Sequence, residues 1–322
     1  MERTRKETTA PTQHFQSQGK LMISGEYLVL AGALALAIPV RYSQSLTVTT
    51  EQAPAPMITW IAMEKDTRWF STRLYLTNGT ENSFTSDDDS PLTKNLISIL
   101  AKAREMNPAF LEGQHHRKVI TNLDFDRSWG LGSSSTLISN IAWWAKVDPY
   151  ALLFQTMGGS GYDIACARSN SPLLYQYQGI DQHPVVTPVH FNPPFANQLF
   201  FVYTGRKQSS AKSLSGFDPS AVDKDMVTAI SDISVALTRT NSLDEFQKLL
   251  VMHEQFIGRI IEKELVQQAC FSDFEGVVKS MGAWGGDFLL VASGMAPSQV
   301  KTYFNDRGHH IIIPFSEMIL TT

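Results

Sequence analysis

Between residues 128 and 136 the chain reads Ser-Trp-Gly-Leu-Gly-Ser-Ser-Ser-Thr, and a mostly apolar run of helix length follows to Lys146. Gly130 and Gly132 permit backbone angles that a Cβ forbids, and they let the main chain approach a ligand closely. Ser133, Ser134 and Ser135 then place hydroxyls ahead of the helix. This order supplies what an anion site needs: unpaired amides, the positive end of a helix dipole, and hydroxyls that bond phosphate or touch a metal. An ordinary serine-capped helix fits the same residues. Two further stretches decide between the readings. One is Gly19-Lys-Leu-Met-Ile-Ser-Gly-Glu-Tyr-Leu-Val-Leu-Ala-Gly32, and the other is Lys279-Ser-Met-Gly-Ala-Trp-Gly-Gly-Asp287.

The whole chain limits what these stretches can serve. At 322 residues it has room for two domains, and 43% hydrophobic with 18% charged residues is the composition of a soluble globular protein with a large core. A net charge of -4 gives no sign of a nucleic-acid footprint, which is usually basic, so no nucleic-acid partner is expected. Two cysteines, Cys166 and Cys270, are too few for a disulfide framework, so a reduced, cytoplasmic setting is expected. The polar start of the chain is no secretory signal. Leu21 to Val40 is apolar enough to raise a membrane span, but Glu26 would sit in hydrocarbon at a cost of at least ~2.5 kcal/mol. Gly25, Gly32 and Pro39 divide the run into strand-sized pieces, so no membrane association is expected.

The elements that must hold these motifs follow from periodicity. Strands are expected at Lys20–Ser24, Leu34–Val40, Leu46–Thr50, Met57–Ala62 and Arg68–Leu76, then a helix at Pro91–Met106 capped by Ser90. A short β segment, His115–Asn122, precedes the glycine-serine loop and its helix at roughly 134–146. Pro149–Met157 and a segment opening at Asp163 read as short helices, and Leu173–Gln178 as a strand. Four prolines between 184 and 194 mark the domain boundary. Beyond it come a buried strand Leu199–Thr204, long amphipathic helices Val222–Thr238 and Leu243–Lys263, a helix ending at Phe274–Lys279, a strand Phe288–Ala292, a helix Ala296–Phe304 and a strand His310–Pro314. That order suggests a small α+β sandwich in the second half.

With the three stretches in view, the chain resembles the GHMP kinase superfamily of small-molecule kinases. Gly19 to Gly32 is similar to the family's opening motif, Gly130-Leu-Gly-Ser-Ser-Ser135 to its phosphate loop, and Lys279 to Asp287 to its C-terminal glycine motif. Within it the mevalonate and phosphomevalonate kinase branch looks nearest. Gly159-Ser-Gly-Tyr-Asp-Ile-Ala165 is similar to the phosphomevalonate kinase GSGFD segment, and also to a bacterial GYDIA-type subgroup. Tyr203-Thr-Gly-Arg-Lys-Gln-Ser-Ser210 is similar to that enzyme's aromatic-Thr-Gly segment. The resemblance implies an α+β, two-domain GHMP kinase fold: a flexible tail at 1–13, an N-terminal ATP-binding domain like ribosomal protein S5 domain 2 at 14–190, and a ferredoxin-like C-terminal domain at 191–322. ATP would lie in the cleft between them. No G-x-x-x-x-G-K-[ST] occurs, so this is not a Walker loop.

The resemblance also implies roles. Asp163 would be the base that relieves an acceptor hydroxyl of its proton, and Lys20 would keep it ionised and offset developing charge. Gly130, Leu131, Gly132, Ser133, Ser134 and Ser135 would hold ATP, with Ser134 the contact to Mg²⁺. Glu26, Tyr27, Gly282, Trp284, Gly285 and Gly286 would face the substrate, although Glu26 fits a structural ion pair equally well. The expected activity is transfer of the γ-phosphate to an alcohol or phosphate monoester, mevalonate or phosphomevalonate first, with homoserine or a sugar as other acceptors and a non-catalytic nucleotide-binding protein as the rival. A small-molecule substrate is the expected partner of a monomer or homodimer. Arg206, Lys207 and Lys212 fit a solvated loop better than an acceptor-phosphate site, and Asp287 fits a turn residue.

Two departures matter. Mevalonate kinase carries a metal-binding glutamate eleven positions before its aspartate, and here that position is Leu152. Trp284 stands where the motif has glycine, and an indole cannot occupy the same tight backbone space.

Overall fold

The computed structural model describes residues 11–77, 84–206, 216–282 and 286–320. The chain divides into two compact units. The first is built from Ser43–Phe125 and Leu137–Met157 with the strand residues up to Ser17, and the second from Gln18–Tyr42, Asp126–Thr136 and the chain from Gly158 onward.

The first unit is a sheet covered by helices. Its strands are the early part of β1 (Thr12–Ser24), the later part of β2 (Ala35–Gln52), β3 (Met57–Glu64), β4 (Thr67–Leu76), β5 (Phe84–Thr85) and β6 (His115–Leu123). They lie in the order β5-β4-β3-β6-β2, antiparallel except for the parallel pair β3 and β6. Alternation decides which face is buried: Ile58, Trp60 and Ala62 of β3 point inward. The helices are α1 (Pro91–Met106), most of α2 (Ser133–Ala145) and α3 (Pro149–Phe154). The Ser90 hydroxyl accepts from the Thr93 amide and Asp148 from the Ala151 amide, each ahead of a proline at the helix start.

The helix that carries the glycine-serine loop is locked by a buried polar network within this unit. The Ser17 hydroxyl lies 2.9 Å from both Ser139 Oγ and Asn140 Oδ1, and Asn140 Nδ2 donates to the Gln44 carbonyl at 2.8 Å. Ser17, Ser139 and Asn140 have no exposed surface. Buried polar groups need such partners, and a satisfied set fixes register as well as distance.

In the second unit the early part of β2 pairs with β7 (Leu173–Gln176), and β7 with β8 (Val185–Pro188). Its second sheet has four antiparallel strands: β9 (Leu199–Tyr203), β10 (Val277–Ser280), β11 (Phe288–Ala292) and β12 (Ile312–Pro314), in the order β10-β11-β9-β12. Around it run α5 (Lys224–Arg239), α6 (Leu243–Ile260), α7 (Val266–Cys270), α8 (Pro297–Asn305) and α9 (Phe315–Met318), while α4 (Tyr162–Ala167) packs against β7. Phe200, Val202, Val278, Leu289 and Val291 pack with Phe271, Phe274, Val300 and Phe304 to form its core.

The structure corrects the expectation at Phe274–Lys279. The helix there ends at Cys270, and 277–280 is strand β10. All four residues of β10 are buried, including Lys279, so the periodicity that separates strand from helix is absent. The two strands expected at Leu34–Val40 and Leu46–Thr50 are one, β2, and β1 is longer than the five residues Lys20–Ser24. No helix among the described residues is long and apolar enough to cross a membrane.

Asn140→Ala should lower unfolding free energy by about 1 kcal/mol, because it removes one of the two partners of the Ser17 hydroxyl and the Nδ2 donor to the Gln44 carbonyl. Urea denaturation reads this directly, and a wild-type midpoint would show that the network does not hold α2.

Candidate active site

Lys20 is the group that joins the first two motifs. Its backbone amide donates to the Leu131 carbonyl at 3.0 Å, and its ammonium donates to the Gly130 carbonyl at 3.0 Å. One lysine therefore grips the glycine loop with both main chain and side chain. The loop glycines make this possible. Gly132 sits at φ 87°, and a Cβ there would press on the lysine stem, 3.1 Å from Cγ. Gly130 sits at φ 65°, and its Cβ would overlap the carboxylate of Asp287. Both positions thus need glycine for conformation and for space.

The same ammonium meets Asp163. Nζ lies 3.6 Å from Asp163 Oδ1, with the two side chains 15% and 26% exposed. Oδ1 is buried and has no hydrogen-bond partner. Nζ also stands 5.4 Å from the centroid of the Tyr162 ring. Burial pulls the lysine toward neutrality, but Tyr162, Asp163 and Asp287 outweigh it and hold its pKa above the ordinary lysine value. Burial and then Asp163 push the Tyr162 phenol up, so it stays protonated at neutral pH. Cys166, one turn along α4, is held as the thiol by the same two causes.

Beyond the loop, α2 begins at Ser133, and its first-turn bond runs from the Thr136 amide to the Gly132 carbonyl at 2.9 Å. The amides of Ser133, Ser134 and Ser135 precede that bond and are the donors a helix leaves open at its start. Ser134 is exposed, Ser133 half-buried and Ser135 buried. Leu131 is fully buried and anchors the loop between its glycines.

Aromatic and polar contacts of the second unit seat this loop. Trp129 packs edge-on against Tyr42 and Phe288, with ring centroids 5.3 and 5.9 Å away. Tyr203 donates from its hydroxyl to Ser128 Oγ at 2.9 Å, and Asp126 Oδ1 accepts from the Ser128 amide at 2.8 Å. Trp129, Tyr203 and Asp287 were not legible as site residues. The only sequence signal was the placing of all three inside motif-like segments.

The substrate-facing expectations divide. Glu26 is 5% exposed, and its Oε1 is 2.7 Å from Lys279 Nζ, which has no exposed surface. Its Oε2 approaches His253 Nε2 at 3.1 Å. That nitrogen already accepts from the Gly25 amide at 3.0 Å, so in the neutral ring it carries no proton for Glu26, and the approach is not a hydrogen bond. Burial and then Lys279 hold His253 below the ordinary histidine pKa, which favours the neutral ring. Burial disfavours the Glu26 charge, but Lys279 prevails and brings its pKa down to about 2. Glu26 is thus engaged in a buried ion pair. Tyr27 is buried, at φ 63°, with its ring edge-on to Phe217 at 5.6 Å. Gly282 takes φ 66°, and the Gly286 carbonyl accepts from the Thr204 hydroxyl at 2.9 Å. Trp284 and Gly285 lie outside the described residues, as do Lys207 and Lys212. Arg206 is exposed, and Leu152 is fully buried, so position 152 offers no metal ligand.

Among the described residues no group of three or more His, Cys, Asp or Glu side chains could hold a metal. This does not conflict with Mg²⁺, which takes one or two carboxylates and fills its shell with phosphate oxygens and water.

No protein-family profile matches the sequence, and no curated protein matches it either. Solved structures do match its fold. Streptococcus pneumoniae phosphomevalonate kinase, in complex with phosphomevalonate and AMPPNP, aligns with TM-score 0.69 at 16% identity, over 93% of this chain and 99% of that one. L. major mevalonate kinase, in complex with R-mevalonate, aligns with TM-score 0.64 at 14% identity, over 96% and 97%. A D-glycero-D-manno-heptose 1-phosphate kinase from Bacteriodes thetaiotaomicron aligns with TM-score 0.62 at 13% identity, over 96% of each. The chain has the two-domain fold of the GHMP kinases.

The depressed pKa of Glu26 gives an acid limb to stability. Its contribution is fully present above the ordinary value of 4.5 and is lost as pH falls toward 2. Glu26→Gln should lack that limb, which is on the order of 3 kcal/mol for a shift of this size. Denaturation midpoints from pH 2 to 6 check it, and parallel profiles for the two proteins would contradict the ion pair.

Proposed function

We propose that the chain is an ATP-dependent small-molecule kinase. The observation that carries this reading is the convergence on Lys20, whose ammonium contacts the glycine loop and the Asp163 carboxylate together. Phosphoryl transfer asks a protein chiefly for positioning and electrostatics. It needs donors for phosphate oxygens, a cation near the developing charge, and a carboxylate to take the acceptor's proton. Here the lysine touches both the carboxylate and the glycine loop that leads into those donors.

In this reading the open amides of Ser133–135 and the hydroxyls beside them bind phosphate oxygens, helped by the dipole of the 13-residue helix α2. The γ-phosphorus–oxygen bond to the leaving diphosphate breaks as the acceptor oxygen bonds to phosphorus. The acceptor's proton passes to the Asp163 carboxylate. Lys20, 3.6 Å from that carboxylate, balances charge as it builds. Mg²⁺, when bound, supplies charge neutralisation between phosphate oxygens, with the exposed hydroxyl of Ser134 the residue assigned to it. Asp287, set against Gly130 and acting on Lys20, is a second carboxylate able to hold the lysine or the metal.

The acceptor is an alcohol or phosphate monoester, with phosphomevalonate and mevalonate first among candidates. The segments Gly159–Ala165 and Tyr203–Ser210 and the fold relatives that bind these compounds support that order. Glu26 shapes the pocket through its buried pair with Lys279, and Gly282 and Gly286 bring backbone toward the acceptor.

Purified protein given Mg-ATP with mevalonate, phosphomevalonate, homoserine and sugars in turn should release ADP with one of them. Asp163→Asn should then lower kcat by roughly 10²-fold or more with little change in ATP affinity. ATP binding without turnover on any acceptor would make the protein a nucleotide-binding module, and a wild-type rate in the variant would remove Asp163 from the chemistry.

A further inference from the structure

Beneath the third motif lies a cluster that phosphate chemistry does not use. Lys279 ends in a fully buried ammonium that donates to Glu26 Oε1 at 2.7 Å and to the Ser280 carbonyl at 2.7 Å. Glu254 of α6, 3% exposed, approaches the same ammonium with Oε1 at 3.6 Å. Its Oε2 accepts the Ser280 amide at 3.2 Å, while Oε1 has no hydrogen-bond partner. Both peptide groups of Ser280 are therefore held by ionisable side chains. Ser280 is the last residue of β10, which pairs antiparallel with β11. Asp287, the residue before β11, sits against Gly130 in the glycine-serine loop.

The charges do not balance. Two carboxylates, Glu26 and Glu254, face one ammonium, and His253, adjacent to Glu254 on α6, is neutral. Facing Glu254 from β10 are Lys279 and the Ser280 amide, and from the turn after β1 comes Glu26. From α7 comes the uncharged Gln267, whose side chain bonds Gly276 and Val278 of the same strand edge. Glu254 also lines a cavity of about 360 Å³, together with Gln255, Gln267, Gln268, Ser272 and Gly276. That cavity gives its proton a route to solvent.

We propose that Glu254 and Lys279 form a proton-responsive latch that holds the end of β10 at Ser280, closed when Glu254 is neutral and loosened when it ionises. Glu254 and Lys279 are positioning residues acting through Ser280, and their effect on catalysis rests on the kinase reading above. Burial, opposed only in part by Lys279, raises the Glu254 pKa from 4.5 to about 7. A group with a raised native pKa stabilises the closed form below its ordinary value, and that contribution is lost as pH rises through 7. Opening that returns the carboxylate to water is therefore favoured by alkali. With the two values 4.5 and about 7, the opening constant rises about tenfold between pH 6 and pH 8.

Amide hydrogen exchange on the full chain reads this directly at Ser280. After correction for intrinsic chemistry, protection of Ser280 should fall about tenfold from pH 6 to pH 8 in the wild type. It should stay level in Glu254→Gln, which keeps the neutral shape. Equal slopes in the two proteins, or level protection in the wild type, overturns the latch. If the variant does not fold, the carboxyl carbon resonances of wild-type glutamates decide. One titrating near 7 supports the latch, and all titrating below about 5.5 overturns it. Calorimetry with Mg-ATP at both pH values separates the two readings. Affinity that weakens with the same pH dependence in the wild type alone extends the latch to the site, and pH-independent affinity overturns that link. No binding at either pH sinks the kinase reading and leaves exchange to decide the latch.

Discussion

An ammonium taken out of water must find negative charge or give up its proton, and the side chain of Lys20 is only 15% exposed. It finds the Gly130 carbonyl, the Asp163 carboxylate and the field of Asp287. Those partners come from three separate parts of the sequence. The requirement to solvate one charge therefore draws β1, the loop before α2, the start of α4 and the start of β11 into one neighbourhood. Each glycine of the loop fits this need: Gly132 leaves room for the lysine stem, and Gly130 leaves room for Asp287. An ordinary capped helix requires none of this, which tips the two readings of Ser128–Thr136 toward anion binding.

A second buried lysine solves the same problem differently. Lys279 is enclosed by Glu26, Glu254 and a backbone carbonyl, with no exposed surface and no contact to the loop glycines. Here the carboxylates outnumber the cation, and one of them keeps a proton close to neutral pH. In the proposed reading one lysine faces the chemistry, while the other holds the backbone at the end of β10. The serines of α5 extend the second role. Ser234 Oγ meets Ser24 Oγ at 2.8 Å and the Leu34 carbonyl at 2.8 Å, and Ser231 Oγ accepts the Leu34 amide at 3.0 Å.

What could be read from the sequence was what local pattern and motif order encode. The glycine-serine loop, the short helix at Asp163 and the long helices of the second half all lie near where periodicity put them. Lys20 and Asp163 meet as the motif order implied. The misses have physical causes. Strand β10 was read as helix because it is buried on every side, Lys279 included. Lys279 itself was read only as the edge of a motif, since nothing in a sequence tells a buried lysine from a solvated one. Glu26 could not be resolved between a substrate contact and an ion pair until its partner, 253 residues away, was in view. Asp287 passed as a turn residue because its neighbour Gly130 is also distant in sequence.

The central claim is that Lys20, Asp163 and the amides at the start of α2 face one phosphate-bearing ligand. Titrating isotopically labelled protein with Mg-ATP and following amide resonances and the Lys20 ammonium tests this most directly. Shifts should concentrate at Lys20, at residues 130–136 and at Tyr162 and Asp163. Saturable binding whose shifts fall elsewhere, with these resonances unmoved, would contradict it.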